Sequence, residues 1–167
     1  MSCLGVHFAL EQAEVDSLLL LDTDADRLGY LEQVIEERYF AGPRELVAES
    51  DKSWDAMHRA LSDGTLAPDG GRYPLDHVVL GGRSLYAGDD YIMSLKTPAQ
   101  VEDIAAALSL VNHDEFRARY DRIQQADYAG QLGDEDFAYT WEWFAGVRAL
   151  YAMAAVVGRA VLFTTDQ

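Results

Sequence analysis

Apolar positions recur along this chain at two spacings, and the change from one to the other outlines its elements. In residues 4–10, Val6 and Phe8 stand two apart, the period of a strand. Residues 11–21 switch to helical spacing, with Val15, Leu18 and Leu19 inward. Asp22, Thr23 and Asp24 break that helix. Asp24 then caps a second helix, in which Leu28, Leu31, Ile35 and Tyr39 recur. Gly42 and Pro43 end it, and residues 46–48 read as a short extended link. A third helix covers residues 51–61 and stops near Gly64.

Pro68, Gly70, Gly71 and Pro74 make residues 65–76 a flexible surface loop. The apolar run of residues 77–80 predicts a buried strand, Gly81 and Gly82 turn it, and residues 91–95 predict the next strand. The second half is helical. Thr97, Pro98 and Gln100 form a capping box with proline at the first helical position, ahead of Val101, Ile104, Ala105 and Leu108. Asn112 caps a helix carrying Phe116 and Tyr120, with Ile123 on the same stripe. Asp134 caps a long one that runs to Gly158. That last helix carries two apolar seams, one with Phe137, Trp141, Phe144 and Tyr151 and one with Trp143, Val147 and Leu150, which places it in the core. Residues 160–164 form a closing strand. The order of elements predicts a single α+β domain: several helices around a small mixed sheet, with a long aromatic-rich C-terminal helix before the last strand.

Charge narrows the function classes. The chain of 167 residues carries 29 acids against 13 bases, a formal charge of −16. Residues 1–50 hold 11 acids and 3 bases, and residues 101–167 hold 11 and 5, so both flanks are acidic around a nearly neutral middle. Such a field repels phosphate backbones, and no nucleic acid is expected as partner. An acidic face does fit a basic protein partner. The lone cysteine, Cys3, cannot form an internal disulfide, which suits a reducing cytoplasm. The start has no basic region and the longest apolar run near it is residues 18–21, so neither a signal peptide nor a membrane contact is expected.

The densest concentration of chemistry is Asp51-Lys52-Ser53-Trp54-Asp55-Ala56-Met57-His58-Arg59. On a helix, Trp54, Met57, His58 and Leu61 share a face, and Asp51, Asp55 and His58 run along its edge. A carboxylate beside a histidine can do general acid–base work, which makes Asp51, Asp55 and His58 the catalytic candidates. Lys52 and Trp54 are binding candidates, and Lys52 is one of two lysines against 11 arginines. In the structural alternative Asp51 caps the helix, Asp55 pairs with Arg59 four residues on, and His58 is a satisfied core-edge ring. Arg83, in Gly81-Gly82-Arg83-Ser84, is a third binding candidate, although a hairpin turn accounts for that run better than a phosphate cradle. Asp22, Asp24 and Asp26 alternate like the start of a calcium loop, but position 27 is arginine and position 33 glutamine, so turn chemistry is the better account. The histidines are scattered, and neither a metal nor a cofactor is expected. Arg148 lies in an aromatic seam of the last helix and requires a partner if buried; a carboxylate of the Asp51 stretch is the expected one.

The run Asp51-Lys52-x-Trp54-Asp55-x-x-His58, with the Leu80-Gly81-Gly82 turn, the Thr97-Pro98 helix start and the aromatic last helix before Val161-Leu162, resembles the YfbM-like proteins, a bacterial family of unknown function. The resemblance spans nearly the whole chain. It implies an α+β fold and one domain, and no activity. Two readings follow. The first is a non-catalytic interaction module with a basic partner. The second is a small-molecule-binding or hydrolytic enzyme that uses Asp51, Asp55 and His58 around Trp54. A cleft into which those three side chains converge would favour the second.

Overall fold

Strand pairing organises the molecule. The computed structural model describes residues 3–167. Its strands are β1 (Gly5–Leu10), β2 (Val47–Asp51), β3 (Arg83–Ser84), β4 (Tyr91–Lys96) and β5 (Ala160–Asp166). They form one open sheet in the order β2-β1-β5-β4-β3. Every pairing is antiparallel, where the sequence suggested a mixed sheet. The first and last strands are neighbours at its centre, so the two ends of the chain close the core together.

Both faces of the sheet are covered. On one face, Phe8, Leu10, Met93, Leu95 and Leu162 pack on α1 (Gln12–Leu20) and on a long helical stretch made of α2 (Asp24–Tyr30), a π-helical segment (Leu31–Glu36) and α3 (Glu37–Phe40). The other face carries Ala9, Ala48, Val161 and Phe163. It packs on α4 (Trp54–Leu61), α5 (Pro98–Leu108), α6 (His113–Tyr120) and α7 (Asp134–Val157). Period-2 alternation along each strand therefore buries two apolar sets rather than one.

Local signals set most boundaries. Thr97 accepts from the Gln100 N–H while the Gln100 side chain accepts from the Thr97 N–H, and Asn112 accepts from the Glu115 N–H. Thr23, not Asp24, caps α2; the Asp24 carboxylate instead takes the N–H groups of Ala87 and Gly88, at 3.0 and 3.1 Å. Helix α7 starts from Gly133 rather than from an aspartate cap and ends at Gly158. Among the described residues no helix is long and apolar enough to cross a membrane.

The expected strand at residues 77–80 does not form. A short 3-10 turn (Leu75–His77) leads into irregular backbone that crosses the sheet face instead of joining its edge. Its carbonyls are satisfied by buried side chains rather than by a ladder. His7 and Tyr151 donate to the Val78 carbonyl, Lys96 to that of Val79, and Ser94 to those of Leu80 and Gly81. Residues 65–74 carry no helix or strand. They are tied down where the Ala67 carbonyl meets His58 and where the Tyr73 hydroxyl donates to Asp103.

Candidate functional site

The β2–α4 corner brings the sequence's chemical residues together. Asp51, the last residue of β2, has a φ of +46°, a left-handed conformation that aspartate tolerates better than most residues. Its carboxylate accepts the Lys52 N–H at 2.7 Å rather than capping the helix. Ser53 precedes α4 and donates its hydroxyl to the Ser50 carbonyl at 2.6 Å, which tightens the turn. The corner presses against the start of β1. A Cβ at Gly5 would lie 2.6 Å from the Ser50 hydroxyl and 2.9 Å from the Trp54 side chain, so glycine is required there. Trp54 is buried, lies 5.9 Å from the Phe163 ring and donates its indole N–H to the Cys3 carbonyl at 2.8 Å.

Asp55 and Arg59 form the expected ion pair, at 2.5 Å, but in a buried setting. Arg59 also donates to the carbonyls of Asp127, at 2.6 Å, and Gly64, at 3.4 Å. The pair thus ties α4 to the turn after α6 and to the loop after α4. His58 is fully buried. Its Nε2 lies 2.9 Å from the Ala67 carbonyl, which makes Nε2 the protonated nitrogen, and its Nδ1 has no partner. Burial pushes its pKa down, so the ring is neutral and donates one structural hydrogen bond.

A cleft of about 590 Å³ opens beside this corner. Lys52, Trp54 and Asp55 line it with Tyr128, Asp136 and Tyr139. Asp51 and His58 are not among its lining residues. The structure therefore brings Lys52, Trp54 and Asp55 to one surface and leaves His58 behind it. Arg83 lies elsewhere, exposed on the edge strand β3 opposite Leu95. Asp136, which the sequence did not single out, accepts hydrogen bonds from the hydroxyls of Tyr120 at 2.6 Å and Tyr128 at 3.0 Å. Both tyrosine pKa values are pushed up, first by burial and then by that carboxylate. Burial and the Asp51 charge push Tyr139 up as well.

Arg148 does not pair with the Asp51 stretch. Its guanidinium stacks on the aromatic seam, 5.7 Å from the Trp141 centroid and 5.6 Å from that of Phe144. The carboxylates expected to meet it are engaged, Asp55 by Arg59 and Asp51 by the Lys52 N–H.

The other concentrated polar site is internal. Lys96 is fully buried and donates to the Val79 carbonyl, the Ser94 carbonyl and the Ser94 hydroxyl, at 2.5, 3.2 and 3.0 Å. Burial holds its amine well below the usual lysine range. His7, fully buried on β1, is pushed down to about 3, first by burial and then by the Lys96 charge. The available sequence signal was spacing: His7 alternates with Ala9, and Ser94 and Lys96 follow Ile92 on one face of β4. Among the described residues no group of three or more His, Cys, Asp or Glu side chains is arranged to hold a metal ion.

The family model for a domain of unknown function, DUF1877, matches residues 1–164. The chain belongs to this family. Its fold is similar to that of YfbM from Escherichia coli, a crystal structure of a protein of unknown function. The TM-score is 0.68 at 20% identity, covering 97% of this chain and 99% of that one. The expected YfbM-like resemblance therefore holds. No curated protein matches the chain. Likeness at that identity speaks for the fold, and function rests on the side chains.

Proposed function

We propose that this protein is a non-catalytic interaction module that takes a basic segment of a partner protein into an acidic, aromatic-lined groove. One observation carries the reading. The cleft beside Trp54 shares Asp136 and Tyr139 with a second concavity of about 510 Å³, which adds Asp134 and Glu135 at the start of α7. Of the groove's four carboxylates, Asp55 is paired with Arg59 and Asp134 with Arg117 at 2.9 Å, which leaves Glu135 and Asp136 beside one base of the lining, Lys52. Tyr128 and Tyr139, both half-buried, supply ring surface against which a lysine or arginine side chain can lie, with the buried Trp54 behind them. The chain's charge of −16 adds a field that steers cations toward it. The helix dipole opposes a cation at the α7 N-terminus, but its equivalent of about half a charge is less than the two carboxylates of Glu135 and Asp136 supply.

The enzymatic alternative, with Asp51, Asp55 and His58 acting together, has less support. His58 is buried behind the groove, is neutral, and spends its N–H on Ala67. A cytoplasmic setting is supported by the single thiol, Cys3. The test is capture from the source cell's lysate with the wild type and with Glu135→Lys as baits, at low and raised salt. The reading expects a stoichiometric partner that Glu135→Lys and salt both release. A partner held equally by both baits would place the interface elsewhere and overturn it.

A further inference from the structure

A second large concavity is lined by arginine. This cleft, of about 720 Å³, lies between the end of α4, residues 70–75 and the α5–α6 junction. It shares no lining residue with the acidic groove. Its wall is held close by glycine: a Cβ at Gly71 would lie 2.7 Å from the Ser62 Cα, so the loop backbone rests directly on the end of α4.

Three arginines, Arg72, Arg119 and Arg122, face this cleft in a chain with more than two acids per base. Arg119 is satisfied by Glu115 at 2.8 Å. Arg72 and Arg122 are exposed and, among the described residues, have no ion-pair or side-chain hydrogen-bond partner. Six other arginines do pair with carboxylates or stack on rings: Arg27, Arg38, Arg59, Arg117, Arg148 and Arg159. Among the described residues, Arg44 and Arg83 alone otherwise share the unpaired state, and neither lines this cleft. The two acids of the lining are engaged: Glu115 by Arg119, and Asp63 by the N–H and hydroxyl of Thr65 at 3.0 and 2.7 Å. Beside the free guanidinium groups lies apolar surface from Tyr73 and Leu110, which are 49% and 79% exposed.

We propose that this cleft binds a small organic anion, with its phosphate or carboxylate paired by Arg72 and Arg122 and its apolar body against Tyr73 and Leu110. Guanidinium forks match both acid groups in bidentate geometry. The ligand is small because the cleft is of small-molecule size.

The test is a titration of the isotopically labelled protein with phenyl phosphate, benzoate and neutral phenol, followed by amide chemical shifts. The expected result is saturable shifts at Tyr73, Leu110 and Val111 with one of the two acids, and the tighter acid identifies the anionic group. The double variant Arg72→Gln, Arg122→Gln should bind about tenfold more weakly or worse, from the loss of charge-assisted hydrogen bonds. The control Arg44→Gln, Arg83→Gln should bind as the wild type does. Absence of shifts with both acids, equal binding of phenol, or equal binding by the double variant would overturn the proposal. All four arginines are away from the core, and unchanged melting temperatures would show that the variants fold.

Discussion

His7 makes the fold acid-sensitive in a way that a single substitution can isolate. Its ring is fully buried between β1 and α7, 4.8 Å from the Phe163 ring and 6.0 Å from that of Tyr151. Its Nε2–H is spent on the Val78 carbonyl, 2.9 Å away, and its Nδ1 has no partner. Burial first, and then the nearby Lys96 charge, push its pKa down from 6.5 to about 3. In the unfolded chain the ring titrates at about 6.5. Above that pH neither state is protonated and the full stability is present. As pH falls, the unfolded state takes up a proton that the folded state refuses, so stability is lost progressively until pH reaches about 3. At about 1.4 kcal/mol per pH unit below 6.5, the loss between pH 7.5 and 4.5 is roughly 3 kcal/mol. Urea unfolding at pH 7.5, 6.5, 5.5 and 4.5 measures it, with His7→Gln as the variant that still offers an N–H to Val78. The variant should be less stable at neutral pH and lose roughly 3 kcal/mol less across that range. Equal slopes for the two proteins would refute the reasoning, because they would mean that the folded state accepts the proton.

Four further outcomes follow from the same geometry. Asp55→Ala should cost about 3 kcal/mol in urea unfolding, because it leaves Arg59 buried without its carboxylate. His58→Ala should cost about 1–3 kcal/mol, from the lost bond to Ala67 and the space left behind, and a melting temperature equal to wild type would contradict a packing role. Gly5→Ala should destabilise by about 1–3 kcal/mol and shift the Trp54 indole resonance, since the new Cβ meets both Ser50 and Trp54. Tyr151 is pushed well above its usual range by burial, so the folded state keeps a proton that the unfolded state releases. Stability should therefore fall as pH rises beyond about 10. Tyr151→Phe should flatten that alkaline decline.

Much of the fold was legible because its signals are local. The capping side chains Thr97 and Asn112 and the apolar stripes of α1, α5 and α7 act within a few residues of themselves. The sheet's all-antiparallel pairing was hidden because β1 and β5, adjacent in space, stand at opposite ends of the sequence. Residues 77–80 misled because a run of four apolar residues has no period, and the groups that satisfy its carbonyls come from β1, β4 and α7. The Asp51–His58 stretch announced its composition but not its exposure. Helical spacing placed His58 beside Trp54, and only the packing of the Ala67 loop against His58 showed that the ring faces inward. Asp136 carried no signal of its own, since its weight comes from Tyr120 and Tyr128 arriving from other segments.

The acidic groove can be tested directly with a short arginine- and lysine-rich peptide titrated into the labelled protein at low salt. The Trp54 indole N–H, held to Cys3, is the reporter, together with the amides of Tyr128, Glu135 and Tyr139. The account predicts saturable shifts at these positions, weakened by salt and by Glu135→Lys and strengthened by Lys52→Ala. Shifts scattered evenly over the acidic surface, with no response to either substitution, would contradict it.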